Sequence, residues 1–277
     1  MPLVPTAQIV DEAAAACRGV GAFNVISLEH AEAFVRGAEQ ADLPVILQIS
    51  QNTVRWHGRL TPLAVATLEV ARAAEVDAAV HLDHATERPL IAEAVRLGVP
   101  SVMFDGSTLD WHDNVATTVA VTHDLHARGV WVEAELGEVG GKDGVHAPGV
   151  RTDPDEAREF VATTAVDALA VAVGSSHAMT DRTAQLDLER VAQLRAAVSV
   201  PLVLHGSSGV PDEQLRDGVR AGLTKINLAT HLNAVMTRRI RQALADDADL
   251  VDPRRYLGPA RDAVADEAAR LLELFAT

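Results

Sequence analysis

The 277-residue sequence predicts an α/β fold, a (β/α)8 TIM barrel with an extra N-terminal helix and a C-terminal helical extension. Three observations predict it. Eight short, β-branched apolar runs recur along the chain, as expected for parallel strands buried on both faces. Segments of helical period separate them, so strand and helix alternate and eight units fit a chain of this length. Polar residues gather at the C-terminal ends of the runs, the face on which such barrels build function. No GxGxxG follows the first run, which argues against a doubly wound open sheet.

Residues 6–18 (TAQIVDEAAAACR) read as a helix that closes the barrel floor. The strands are GAFNVIS (21–27), LPVILQIS (43–50), VDAAVHLD (76–83), VPSVMFD (99–105), GVWVEAEL (129–136), VDALAVAVG (166–174), VPLVLHG (200–206) and LTKINLA (223–229). Thr61-Pro62 opens one helix as N-cap and first helical residue, and Asp153-Pro154 opens another, with Asp155 and Glu156 complementing the helix dipole. The segment from Asp252 onward has a helical apolar pattern and packs on the barrel or on a second subunit. No linker, low-complexity tract or repeat divides the chain, so 1–277 reads as a single domain.

A composition of 48% hydrophobic and 23% charged residues supports a large core. A formal net charge of -15 argues against a nucleic-acid or anionic-membrane partner, so a phosphate must be held by local devices. Cys17 reads as a small buried apolar residue and excludes a disulfide framework. With no 18-residue apolar stretch and no leader pattern, the expected compartment is the cytoplasm.

HLDHATERPL (81–90) places His81, Asp83 and His84 where a buried strand ends, which is costly unless the groups are used. The other strand ends supply Asn24, Ser50, Asp105, Glu133, Glu135, His177, His205 and Asn227, with Thr230 after it. His84, His177 and His205 follow strands three, six and seven, and three imidazoles with an open fourth position suit a catalytic zinc ion. The other eight histidines, among them His112, His123, His126 and His146, read as solvent-facing or loop residues. HGSSG (205–209) and NLAT (227–230) end strands seven and eight, where small residues let backbone N–H groups approach a phosphate and the Ser208 and Thr230 hydroxyls add donors.

GAFNV, HLDH, SVMFD, VEAELGEVGG, AVAVGSSH, LVLHGSSG, KINLAT and DPRRYL run in order along nearly the whole chain. In this set the sequence resembles the class II, metal-dependent ketose-bisphosphate aldolases, which act on fructose or tagatose bisphosphate. The resemblance implies that His84, His177 and His205 hold Zn2+ and that Asp83 is the general acid and base. Asp105 and Glu135 correspond to positions for a second or displaced divalent ion, or a monovalent cation. Gly206, Ser207, Ser208, Asn227, Leu228, Ala229 and Thr230 would bind the dihydroxyacetone-phosphate part, Ala178 would lie beside it, and Asn24 and Ser50 would line the site. Arg254 matches an arginine that reaches the distal phosphate of a neighbouring subunit's substrate, which implies a homodimer or homotetramer. The implied reaction is reversible cleavage of a phosphorylated ketose to dihydroxyacetone phosphate and an aldehyde, with zinc stabilising the enediolate. A different keto-sugar phosphate, or a non-catalytic sugar-phosphate binder, are the alternatives.

Two stretches depart from the family pattern. The family's loop after VEAELG supplies a proton-exchanging glutamate, whereas this one reads GGKDGVHAPGV, with Lys142 nearby and Asp143 as the substitute. After His177, Ala178 stands where glycine is common and Asp181 where lysine is common, with Arg182 turning inward as the available compensation.

Overall fold

The computed structural model describes residues 2–137, 151–177 and 179–277. Eight strands, β1 (Val20–Asn24), β2 (Val45–Ser50), β3 (Ala78–Ala85), β4 (Ser101–Phe104), β5 (Trp131–Leu136), β6 (Ala168–Val171), β7 (Leu202–Leu204) and β8 (Leu223–Leu228), form a closed parallel barrel in chain order. Between and around them lie α1 (Thr6–Ala15), α2 (Leu28–Ala41), α3 (Gln51–His57), α4 (Thr61–Ala73), α5 (Arg88–Leu97), α6 (Trp111–His126), α7 (Pro154–Thr164), α8 (Leu188–Ala197), α9 (Asp212–Ala221), α10 (Thr230–Asp246) and α11 (Pro253–Phe275).

Strand alternation sorts the side chains into two cores. Outward residues such as Leu47, Leu82, Val132, Leu169 and Ile226 join the helices in the larger one. The smaller one fills the lower barrel with Val20, Ala22, Ile46, Ala79, Met103, Trp131, Ala168, Ala170 and Val203. Ile9 and Val10 of α1 complete it, so the N-terminal helix closes the floor as expected. Above this apolar plug the same inward alternation continues into polar residues, with Gln48 after Ile46, His81 after Ala79, Glu133 after Trp131 and His205 after Val203. The site therefore rests on the plug.

The C-terminal extension packs on its own chain. Helix α11 lies along α2 and α10, and so close to α2 that a Cβ on Gly37 would meet the Ala265 carbonyl oxygen at 2.5 Å. Among the described residues no helix is long and apolar enough to cross a membrane.

Two local expectations are corrected and a third holds. Thr61 is the first residue of α4, not its cap: Leu60 precedes it without a side-chain cap bond, and the Thr61 hydroxyl donates to Glu93. Asp153 does cap α7, accepting from the N–H groups of Asp155 and Glu156. Cys17 is exposed with φ 53°, because the chain leaves α1 through a left-handed turn that points its side chain to solvent.

Candidate active site

A residue in the left-handed region opens the site. Asp83 and His84 are neighbours on β3, and regular pleating would send them to opposite faces. Pairing with β4 instead slips between Leu82 and Ala85, where one extra residue on β3 makes a bulge. His84 has φ 50°, a conformation histidine tolerates better than most side chains but which costs on the order of 1–3 kcal/mol. The bulge lets both residues serve the barrel mouth: Asp83 is 2% exposed and His84 Nε2 stands 3.9 Å from its Oδ2.

Around them the three histidines converge. Donor atoms of His84, His177 and His205 all lie within 4.8 Å of one another, and the His84 Nε2 to His205 Nδ1 distance is 3.1 Å. Two nitrogens bound to one tetrahedral zinc at about 2.0–2.1 Å sit roughly 3.3–3.4 Å apart, so this pair is close to coordination spacing. The far nitrogens are held by carboxylates. His84 Nδ1 faces Asp105 Oδ2 at 2.8 Å, and His205 Nε2 faces Glu133 Oε1 at 2.9 Å. Such partners fix which nitrogen carries the proton and turn the other to a metal. Burial, together with the neighbouring His84, Lys225 and His177, pushes His205 well below its ordinary pKa, leaving the neutral imidazole that metal binding requires. A divalent cation fits this donor set. His84, Asp105 and Glu135 form a second overlapping group within 4.8 Å, so Asp105 could either orient His84 or join a displaced ion.

Burial acts to raise the pKa of Asp83, but positive charge at His84, His205, Lys225 and His177 outweighs it and holds the carboxyl below its ordinary value. Asp83 Oδ1 and Asn227 Nδ2 are buried with no hydrogen-bond partner among the described residues, an acceptor and a donor suited to a polar ligand. Asn24 Oδ1 accepts from Gln48 Nε2 at 2.7 Å, which fixes the Asn24 amide.

The loops after β7 and β8 interlock. Gly206 has φ 66°, and a Cβ there would meet the Ser176 carbonyl carbon at 2.6 Å. Ser208 Oγ accepts from His231 N at 3.1 Å and Ala229 N at 3.4 Å, tying the HGSSG turn to the start of α10. The 17-residue α10 begins at Thr230, so its N-terminal dipole and N–H groups favour an anion there. Ser207 Oγ is committed to Leu204 O, and the Leu228 side chain belongs to the outer core, so these two offer chiefly backbone. Gly206→Ala is expected to lose about 1–2 kcal/mol for the left-handed backbone alone, with the clash added. Urea unfolding checks this, and an unchanged midpoint would contradict it.

Behind these loops α11 supplies a brace. Glu267 bonds His231 at 2.6 Å and Arg270, while Arg270 reaches Asp212 at 2.6 Å. Burial would raise the Glu267 pKa, but the hydrogen bonds from Arg270 and His231 prevail and lower it from 4.5 to about 2. Its folded pKa is depressed, so the carboxylate stabilises above pH 4.5 and that stability is lost as pH falls towards about 2. Glu267→Gln is expected to be less stable than the parent at pH 7, with the gap closing below pH 4.5. Urea titrations across pH read this directly, and a gap independent of pH would contradict it.

Several expected site residues have other work. Ser50 caps α3, its Oγ accepting from Thr53 N at 3.2 Å at the edge of the site. Arg182 does not turn inward: its guanidinium donates to Val210 O and pairs with Asp212 at 2.6 Å. Arg254 is 88% exposed and paired with Asp252 of its own helix cap. Ala178, Lys142, Asp143 and His146 lie outside the described residues. Two histidines expected at the surface are buried: His30 contacts Ser27 Oγ, and His81 contacts Ser101 Oγ, itself bonded to Thr6 of α1. His81 is pushed well below its ordinary pKa, first by burial and then by Lys225, and reads as a neutral floor residue.

Known proteins resemble this chain over nearly its whole length. Residues 4–277 match a family model described as fructose-bisphosphate aldolase class-II. A probable fructose-bisphosphate aldolase of Bacillus subtilis is 38% identical over 95% of this chain and 94% of its own. A fructose-bisphosphate aldolase of Thermus caldophilus is 37% identical over 99% of this chain and 98% of its own. Among solved structures, the YdjI aldolase from Escherichia coli K12 is similar with TM-score 0.84 and 32% identity, over 99% of this chain and 97% of that one.

Proposed function

The chain belongs to the class II fructose-bisphosphate aldolase family, a family of metal-dependent lyases, and on that premise we propose that it reversibly cleaves a phosphorylated ketose to dihydroxyacetone phosphate and an aldehyde. The observation that carries the reading is the convergence of three imidazoles within 4.8 Å beside the buried Asp83. His84, His177 and His205 would hold the ion, which we take to be zinc. When bound, such an ion supplies Lewis-acid stabilisation of the negative charge that develops on the three-carbon fragment.

The protein's own groups do the rest. In the cleavage direction Asp83 takes the proton from the hydroxyl on the carbon that becomes the aldehyde, and the electrons of the breaking carbon–carbon bond pass to the three-carbon fragment. In synthesis it returns that proton. The unpartnered Asn227 Nδ2 suits a substrate oxygen, and the HGSSG turn with the α10 N-terminus suits a phosphate. Asp143 is the candidate for proton exchange on the three-carbon fragment. Arg254, solvent-exposed in one chain, would leave its pairing with Asp252 to serve a neighbour's substrate in a homodimer or homotetramer.

A second reading keeps the chemistry and changes the sugar. It is favoured by Arg182, whose pairing with Asp212 removes it as a substitute phosphate ligand. Metal-loaded protein assayed for triose-phosphate release against a panel of ketose phosphates separates the two. Release from fructose or tagatose bisphosphate supports the first reading, selective release from another keto-sugar phosphate supports the second, and binding without release contradicts both.

A further inference from the structure

At the centre of the barrel lies a buried ammonium. Lys225 is one of only two lysines in a chain that otherwise uses arginine, and it is 0% exposed. Its Nζ forms an ion pair with Glu133 Oε2 at 2.9 Å and donates to Asn227 Oδ1 at 2.9 Å and Gln48 Oε1 at 3.3 Å. A compact ammonium can address three directions from one atom, whereas the planar fork of arginine cannot.

Each of these partners leads on to the site. Glu133 uses its other oxygen, Oε1, to accept from His205 Nε2 at 2.9 Å. Gln48 turns its Nε2 to Asn24 Oδ1 at 2.7 Å and towards Asp83 Oδ2 at 3.4 Å. Because Lys225 takes the Gln48 oxygen, the amide nitrogen must face the two acceptors. Because Lys225 takes Asn227 Oδ1, the Asn227 nitrogen is the atom left to a ligand. One cation thus settles the orientation of two amides and one carboxylate.

We propose that Lys225 is a positioning residue that sets the metal ligand His205 through Glu133 and the proton-transfer carboxylate Asp83 through Gln48. The proposal rests on the metal-centre reading above. Since the two arms are separate, they should fail separately, which a merely structural core pair would not do.

The test uses the zinc-loaded full chain and measures zinc dissociation to a chelator alongside kcat and KM. Lys225→Met alone would strand the buried Glu133 carboxylate and threaten folding, so each arm is cut by a near-isosteric change. Glu133→Gln is expected to speed zinc loss by about 10- to 100-fold. Gln48→Met is expected to lower kcat about 10-fold with KM and zinc loss unchanged, the worth of one hydrogen bond to a charged group. The double variant Lys225→Met/Glu133→Gln removes both charges and is expected to show both defects in folded protein. Parental zinc retention and kcat in Gln48→Met and Glu133→Gln would overturn the proposal alone, as would equal loss of zinc in the two. Parental protein that holds no zinc at the imidazoles would overturn the metal-centre reading with it.

Discussion

Asp83→Ala is expected to retain a full equivalent of zinc and to lose at least about 10²-fold in turnover, up to the 10⁴-fold that a positioned general acid or base supplies. The separation of effects follows from the bulge in β3. Asp83 and His84 are adjacent, yet the extra residue and the positive φ of His84 direct them to different tasks at the same mouth. Removing the carboxylate leaves His84 anchored through its 2.8 Å contact with Asp105, so the donor set survives. Steady-state assay with metal analysis of the same sample checks both halves. Near-parental turnover would remove Asp83 from proton transfer, and loss of zinc would make it a ligand instead.

The second large effect is expected at His177. Apparent zinc affinities of about 10–16 kcal/mol for four-ligand sites suggest roughly 2.5–4 kcal/mol per ligand, on the order of 10²- to 10³-fold in affinity. His177→Ala should therefore lose metal on dialysis and lose activity in proportion, with excess zinc restoring part of it. His177 stands on the segment after β6, outside the barrel wall, and its removal opens no core cavity. The protein should stay folded by circular dichroism while it sheds zinc. Unchanged zinc stoichiometry would show that the imidazole is not a ligand.

The barrel was legible because its physics is periodic. Runs such as VDAAVHLD and LPVILQIS announce strands buried on both faces, and helices such as that opened by Asp153 carry their own start signal. The ends were less legible. The run 200–206 yields only Leu202–Leu204 as strand, because Gly206 turns left-handed to let the backbone pass Ser176. Histidine positions could be read from strand ends, but the bulge that makes HLDH work could not, since a backbone angle leaves no residue signature when histidine adopts it. Ser50 shows the opposite ambiguity: a serine at a strand end is also a serine at a helix start, and here its Oγ accepts the cap bond from Thr53 N.

The network around Lys225 escaped for a different reason. Glu133, Gln48 and Lys225 lie within largely apolar strands, on three strands separated by long stretches of sequence. Only closure of the barrel brings them within hydrogen-bonding distance. An inward polar residue two places beyond an apolar plug residue, as Gln48 follows Ile46 and Glu133 follows Trp131, is the signal that could have found two of them. The expected inward turn of Arg182 failed because Asp212, at the start of α9, offered it a nearer charge.

Crystals of the protein loaded with zinc, with diffraction recorded on both sides of the zinc absorption edge, bear most directly on the metal centre. The expected result is one strong anomalous peak at the barrel mouth, about 2.0–2.1 Å from nitrogens of His84, His177 and His205. A peak elsewhere, or one held by carboxylates while those three rings turn away from it, would contradict the chemistry proposed for this chain.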